Sequence, residues 1–297
     1  MNIHLENVNL QSTSGPNHFA SKLIKYMDAT FDPNSTPDAR LCFIESHRNT
    51  FDDTPLFQRL DGIYFNTAQD YKLQNTNIKR TYDNADGIIF QSNFNKELIT
   101  KYFGEHKNSA VIHNGADVEY IEKVPPLTNS KLDKYEDIWC CASSWRPHKR
   151  LSENIKYFLE HSSEKDCLVI AGEKNEDIIK DHRVFYVGNV STLQLTSLYK
   201  RSKYFIHLAW LDHCPNVVVD ARASGCQIIC SSAGGTKEIA GPNAIIIKED
   251  KWDFSPVELY NPPALDFEKT IKNKWEIDYN MNGVASLYKK FIEKEVK

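Results

Sequence analysis

Asp212 and Asp220 stand eight positions apart in the stretch 208–238. Asp212 follows an apolar run and falls in its loop. Pro215 is a good first helical residue, which puts Asp220 in the second turn of the helix it starts. The amides of Asn216 and Val217 then lie at a helix N-terminus, a place that favours a phosphate. Carboxylates beside such a site do not bind the phosphate itself. They suit sugar or ribose hydroxyls, whose hydrogen bonds they accept. The same spacing also fits Asp212 as a helix cap and Asp220 as part of a solvated face. The adjacent glycines Gly234 and Gly235 let a backbone approach a ligand closely, or form a plain turn. A second segment, 140–151, sets Arg146, Lys149 and Arg150 within five positions, between a strand and a helix. Three cations there would neutralise a diphosphate; a solvated basic loop is the alternative.

Such residues need a scaffold, and the apolar pattern supplies one. Short β-branched or aromatic runs at 3–8, 40–46, 62–66, 87–92 and 110–115 predict strands. Helical spacing of Phe19, Leu23, Ile24 and Met27 predicts a helix over 18–27. Phe94, Leu98, Ile99 and Tyr102 do the same over 93–103. Residues 117–137 break the pattern with Pro125, Pro126, Asn129 and Ser130, and read as a linker. Alternation then resumes, with strands expected at 137–143, 167–172, 184–188, 204–209, 227–232 and 244–248. Helices are expected near 152–161, 192–201 and 215–223, and a last amphipathic stretch covers 279–294. This is a parallel α/β pattern written twice. The expected organisation is a first Rossmann-like domain over 1–120, a linker over 121–136 and a second domain over 137–275. A C-terminal helix over 276–297 is expected to pack back on the first domain. Parallel sheets aim loops from the carboxyl ends of their strands, so both halves are expected to face a central cleft. His47, just after the run 40–46, is a candidate to orient a ligand there. His207, inside an apolar run, reads as a satisfied core residue.

Composition removes other classes. The chain has 297 residues, 41% hydrophobic and 26% charged, enough apolar material for a sizeable core and too much for general disorder. Lys+Arg 36 against Asp+Glu 40 gives a net charge of −4, which disfavours nucleic-acid binding. No apolar run reaches the roughly 18–20 residues of a membrane span, and the first residues lack a signal-peptide pattern. The seven scattered cysteines suit reduced thiols in a cytoplasmic protein better than disulfides or a zinc site. No G-x-G-x-x-G follows a strand, which disfavours a dinucleotide-dependent dehydrogenase.

Together the segments resemble the retaining GT-B glycosyltransferases, in particular the large family four. The likeness covers most of the second half and the end of the first. VIHNGAD (111–117) resembles the family's element at the domain junction. Arg146 and Lys149 stand in the places of its arginine–lysine pair. FYVGNV (185–190) is similar to the segment beside the nucleotide base. Asp212 and Asp220 occupy the two positions of its paired glutamates, and PNVVVDARASG (215–225) and GGTKE (234–238) continue the signature. RLDGIYF (59–65) looks like a segment that faces the acceptor in some members. The chain departs from the pattern in three ways. Both glutamates are aspartates, one methylene shorter; the arginine–lysine spacing is shorter; and the first domain is compact.

The resemblance implies GT-B architecture and a sugar transfer from a nucleotide diphosphate sugar to an acceptor hydroxyl of a glycan or lipid-linked saccharide. It implies Arg146, Lys149 and Asp212 as catalytic residues. It implies Gly15, Arg150, Gly188, Val190, Pro215, Asn216, Val217 and Asp220 on the donor, with His47 and Asp61 on the acceptor side. No metal and no further cofactor would be required, because cations take that place. A lipid-linked acceptor would add peripheral contact with the inner membrane face. Two alternatives remain at this point: a nucleotide-sugar epimerase on the same frame, and a binding module that has lost catalysis.

Overall fold

The computed structural model describes residues 1–12, 14–27, 36–173 and 179–296. Two compact units emerge. One comprises Met1–Ala116, Asp253–Val257 and Asp278–Lys297, the other Asp117–Trp252 and Glu258–Ile277. Among the described residues no helix is long and apolar enough to cross a membrane.

The first unit holds five parallel strands side by side in chain order: β1 (Ile3–Glu6), β2 (Ala39–Phe43), β3 (Leu56–Leu60), β4 (Gly87–Phe90) and β5 (Ser109–Val111). Its helices are α1 (Gly15–Met27), α2 (Tyr71–Gln74), α3 (Thr76–Asn84), α4 (Asn93–Phe103) and the closing α10 (Met281–Glu293). On α10, Met281, Val284, Ala285, Tyr288, Phe291 and Ile292 recur at helical spacing. They pack with Phe19, Leu23 and Met27 of α1 onto Ile3, Leu5, Leu41, Phe43 and Phe57 of the sheet.

Two expectations for this unit fail. Residues 62–66 are not a strand; the strand is β3, six positions earlier. Its centre is Gln58 and Arg59, both fully buried, so hydrophobicity does not reveal it. Their polar groups are bonded: Gln58 donates to the carbonyls of Ile44 (2.6 Å) and Ile78 (3.0 Å), and Arg59 is bonded to Tyr288 and Asn114. The aromatic run at 62–66 is a loop held by Asn75, whose side chain bonds both the N–H and the carbonyl of Tyr64. The helix expected over 18–27 begins three positions earlier, at Gly15, so Gly15 lies in the first turn of α1; Thr13, just ahead of it, lies outside the described residues.

The second unit is a seven-stranded sheet of order β12-β11-β10-β9-β6-β7-β8. The strands are β6 (Ile138–Ala142), β7 (Cys167–Ala171), β8 (Val184–Gly188), β9 (Tyr204–His207), β10 (Gln227–Ser231), β11 (Ile245–Ile247) and β12 (Thr270–Ile271). Among the described residues β12 alone runs antiparallel, against β11. Its helices are α5 (Val118–Lys123), α6 (Leu151–His161), α7 (Thr192–Arg201), α8 (Asn216–Ala223) and α9 (Thr236–Ile239). α5 enters the stretch read as a linker. Asp117 caps it by accepting from the Tyr120 amide, and Lys200 of α7 donates to the Ile121 carbonyl. The chain steps outward through β6, β7 and β8, then returns to place β9 on the other side of β6. The order therefore reverses between β6 and β9. In open α/β sheets that reversal opens a crevice at the carboxyl ends of the two strands, and ligands bind there.

Candidate active site

The loops after β6 and β9 carry the cations and the first aspartate singled out by spacing. After β6 comes a single 3₁₀ turn, Pro147–Lys149, which Arg150 ends with left-handed backbone (φ +54°) before α6 starts. Fully buried Asn154 holds this corner. Its amide donates to the carbonyls of Lys149 (3.1 Å) and Arg150 (2.6 Å), while its oxygen accepts the Leu208 N–H past β9 (3.2 Å). The His148 carbonyl accepts the Trp210 N–H at 2.8 Å, so the two loops are joined at a second point.

On this frame Lys149 reaches Asp212. Its Nζ lies 2.6 Å from Oδ2, with the two side chains 18% and 14% exposed. The same Oδ2 lies 2.8 Å from Nε2 of His207, the last residue of β9, and Oδ1 accepts the His213 N–H at 3.0 Å. Burial opposes a charge on Asp212. The Lys149 ammonium and the His207 hydrogen bond outweigh it and hold the carboxyl well below its usual range. Burial keeps three neighbouring histidines neutral: His148 is pushed down to about 3, His213 to about 4, and His207 is also lowered. Arg146 is exposed at the mouth of the same loop. The centre is thus an ionised aspartate, one paired cation and a second cation in solvent.

The loop after β10 closes on the backbone of Asp212. Gly235 N–H donates to the Asp212 carbonyl at 2.7 Å, and Gly234 bridges the same residue at φ +89°. A Cβ on Gly234 would meet the Asp212 carbonyl oxygen at 2.5 Å and its nitrogen at 2.8 Å. The close approach made by this Gly-Gly pair is therefore to Asp212. Leu211, immediately before it, is held at φ +57°, a conformation costly for a branched side chain. Three residues past Asp212, Pro215 caps α8, which starts at Asn216 rather than at the proline. Asn216 and Val217 form its first turn, and Asp220 is half-buried in its second.

Other expected site residues fall elsewhere. Arg150 is not on the surface of the loop. Its guanidinium makes a bidentate pair with Glu249 (2.8 and 2.7 Å) and donates to the carbonyls of Leu208 and Pro263, at 1% side-chain exposure. A residue so committed binds no phosphate, and its role is to lock the base of the loop. Gly188 ends β8 at φ +66°, and its carbonyl accepts from Gly172; Val190 follows in the loop. In the first unit, Asp61 follows β3 instead of preceding a strand. It is tied to Arg59 and to Gln91 (2.5 Å). His47 is exposed past β2. Spacing missed His207 and Asn154 as parts of the site. A signal existed for His207: a buried imidazole in a strand must find a polar partner, and Asp212 is the next carboxylate along the chain.

Residues 128–254 match the family described as glycosyl transferases group 1. No curated protein matches the chain in sequence. Among solved structures, HepE of Anabaena in complex with UDP and glucose aligns at a TM-score of 0.65 with 14% identity, over 99% of this chain and 100% of that one. Sucrose-phosphate synthase from Thermosynechococcus elongatus aligns at 0.63 with 13% identity, over 93% and 78%. AviGT4, a glycosyltransferase involved in avilamycin A biosynthesis, aligns at 0.63 with 11% identity, over 100% and 98%. The shared fold is GT-B. Residues 128–254 are thus similar to the group 1 glycosyl transferases, and the chain has the GT-B fold.

Proposed function

We propose that the chain moves a sugar from a nucleotide diphosphate sugar to a carbohydrate hydroxyl, with retention at the anomeric carbon and without a metal ion. The observation that carries this reading is the Lys149–Asp212 pair at the carboxyl ends of β6 and β9, the two strands that flank the reversal of the sheet. Lys149 and Arg146 would offset the negative charge that grows on the diphosphate as the anomeric bond breaks. The amides of Asn216 and Val217, at the positive end of α8, add to this. Asp212, ionised throughout the neutral range, accepts a hydrogen bond from a donor-sugar hydroxyl, and Asp220 does so from the ribose. The acceptor oxygen bonds to the anomeric carbon on the face the diphosphate leaves, and its proton passes to the departing phosphate oxygen. Two cations supply the charge that a metal ion would otherwise provide. HepE, which holds UDP and glucose, makes UDP-glucose the first donor to try.

The test is a thermal-shift panel of UDP, GDP and ADP sugars with and without EDTA. Nucleotide release with an acceptor panel then follows, with the product anomer read by NMR. A ligand at 100 times its dissociation constant adds about 2.7 kcal/mol. One nucleotide family should raise the melting temperature, EDTA should leave turnover unchanged, and the product should keep the donor's anomeric configuration. An inverted product, or turnover lost in EDTA and restored by a divalent ion, refutes the corresponding part. Wild-type turnover that survives both Arg146→Ala and Lys149→Ala refutes the site.

A further inference from the structure

His207 ends β9 with its ring 3% exposed and stacked at 13° on Phe205. Chain neighbours Phe205, Ile206 and Leu208 are all core residues. Sugar transfer as described above assigns no task to an imidazole in a strand. Yet its Nε2 meets Oδ2 of Asp212 at 2.8 Å, the oxygen that Lys149 Nζ meets at 2.6 Å. Burial keeps the ring neutral, so a bond to an ionised carboxylate requires the proton on Nε2. Lys149 and His207 together fill both acceptor positions of Oδ2. Oδ1 takes one donor, the His213 amide, and no second among the described residues. One lone pair of Asp212 is thus left for a ligand hydroxyl.

We infer that His207 is a positioning residue of the transfer site: it donates its Nε2–H to Oδ2, fixes the Asp212 carboxylate, and keeps that oxygen bonded when Lys149 turns to the donor diphosphate. The inference rests on the transfer reading above. Lys149 is needed twice, by Asp212 in the empty site and by the phosphates in the filled one. When it turns, a mostly buried carboxylate loses its cation, and an oxygen left without any donor is costly. His207 is a donor that stays, because the strand and the packing of its ring hold it. Being neutral, it does not replace the charge of Lys149, so it leaves Asp212 free to pair again when the diphosphate departs. An aspartate reaches one methylene less far than the glutamate of the family pattern, which makes a fixed carboxylate matter more here.

Wild type, His207→Phe and His207→Gln test this with whichever donor the thermal-shift panel identifies. If the wild type turns over no nucleotide sugar, the transfer reading itself fails, whatever His207 does. Given wild-type turnover, His207→Phe, which keeps the stacked ring and removes the donor, should lower kcat tenfold or more. Its melting temperature should stay within a few degrees of wild type. His207→Gln, whose amide nitrogen reaches the place of Nε2, should recover most of the loss; a purely structural ring would not be rescued by a glutamine. Ring ¹⁵N NMR on the wild type needs no variant and should report a neutral Nε2–H tautomer at pH 7. The inference is overturned by wild-type kcat in His207→Phe, by His207→Gln as slow as His207→Phe, or by a neutral Nδ1–H tautomer.

Discussion

Each unit sets a cation against an aspartate at the carboxyl end of its parallel sheet. In the first, Arg59 meets Asp61 just past β3; in the second, Lys149 meets Asp212 past β6 and β9. Arg59 is fully buried, lies over the rings of Phe19 (4.2 Å) and Phe43 (5.0 Å), and donates to Tyr288 (3.0 Å) and Asn114 (2.7 Å). It joins β3, α10 and the segment after β5. Asp61 gives Oδ1 to Arg59 and Gln91, while its buried Oδ2 has no donor among the described residues. Burial therefore pushes the Asp61 carboxyl up, and Arg59 only partly offsets it. Asp212 has donors on both oxygens and is shifted the other way. Two chemically similar pairs thus differ in what they can do. Arg59 is hydrogen-bonded to Asp61, Tyr288 and Asn114, lies over two rings, and cannot leave. Among the described residues Lys149 has one side-chain partner, part of its side chain in solvent, and a neutral histidine that stays behind on the shared oxygen.

That contrast predicts opposite readouts. Arg59→Met should cost about 3–5 kcal/mol in urea unfolding, because it leaves Asp61 buried without its counter-ion. Lys149→Met should cost clearly less, since His207 and the His213 amide remain on Asp212. Equal losses would break the comparison. Activity should order the positions the other way. Lys149→Ala should lower kcat/KM by about 10²–10³, the effect of removing one preorganised group that stabilises transition-state charge, with little change in melting temperature. A smaller effect is expected at Gly234. Alanine there places a methyl group against the Asp212 backbone at positive φ, a strain on the order of 1–3 kcal/mol. Some of that strain should appear as lower turnover, because the loop that seats Asp212 must move. Gly234→Ala with wild-type kcat would show that the Asp212 backbone need not be held so closely.

What was legible in the chain follows the same division. Runs such as CLVIA and IWCCA announce their strands because every side chain is apolar, and helix α4 carries its period openly. β3 was hidden, since Gln58 and Arg59 are polar residues made buriable only by partners 14 to 229 positions away. The aromatic run at 62–66 drew the strand assignment instead. In the second unit residue type and spacing single out Lys149 and Asp212, and the fold brings these two side chains together. Arg150 was misread for a physical reason: spacing along a loop does not say which way a side chain turns. A left-handed backbone at Arg150 and a carboxylate 99 residues later decide that it turns inward. The pairing of His207 with Asp212 depends likewise on how the loop after β9 folds back over the end of its own strand, aided by Gly234 on the neighbouring loop.

The pH dependence of stability gives the finest test of the contrast. The unfolded reference for both aspartates is about 3.9. Asp212 is depressed in the folded chain, so its contribution is present above that reference and is lost as pH falls toward the folded value. Asp61 is raised, so its protonated form is favoured by folding. Its contribution is full below the reference and is lost as pH rises through the folded value. Stability should therefore be measured by urea unfolding for wild type, Asp212→Asn and Asp61→Asn from pH 7 down to about pH 2, so that the range crosses the unfolded reference. The wild-type advantage over Asp212→Asn should shrink on acidification, while the difference between wild type and Asp61→Asn should shift in favour of wild type. Each change should be on the order of 1 kcal/mol. Parallel curves for the two variants would mean that the pairs titrate alike, and that the missing donor on Asp61 Oδ2 and the second donor on Asp212 Oδ2 do not set them apart.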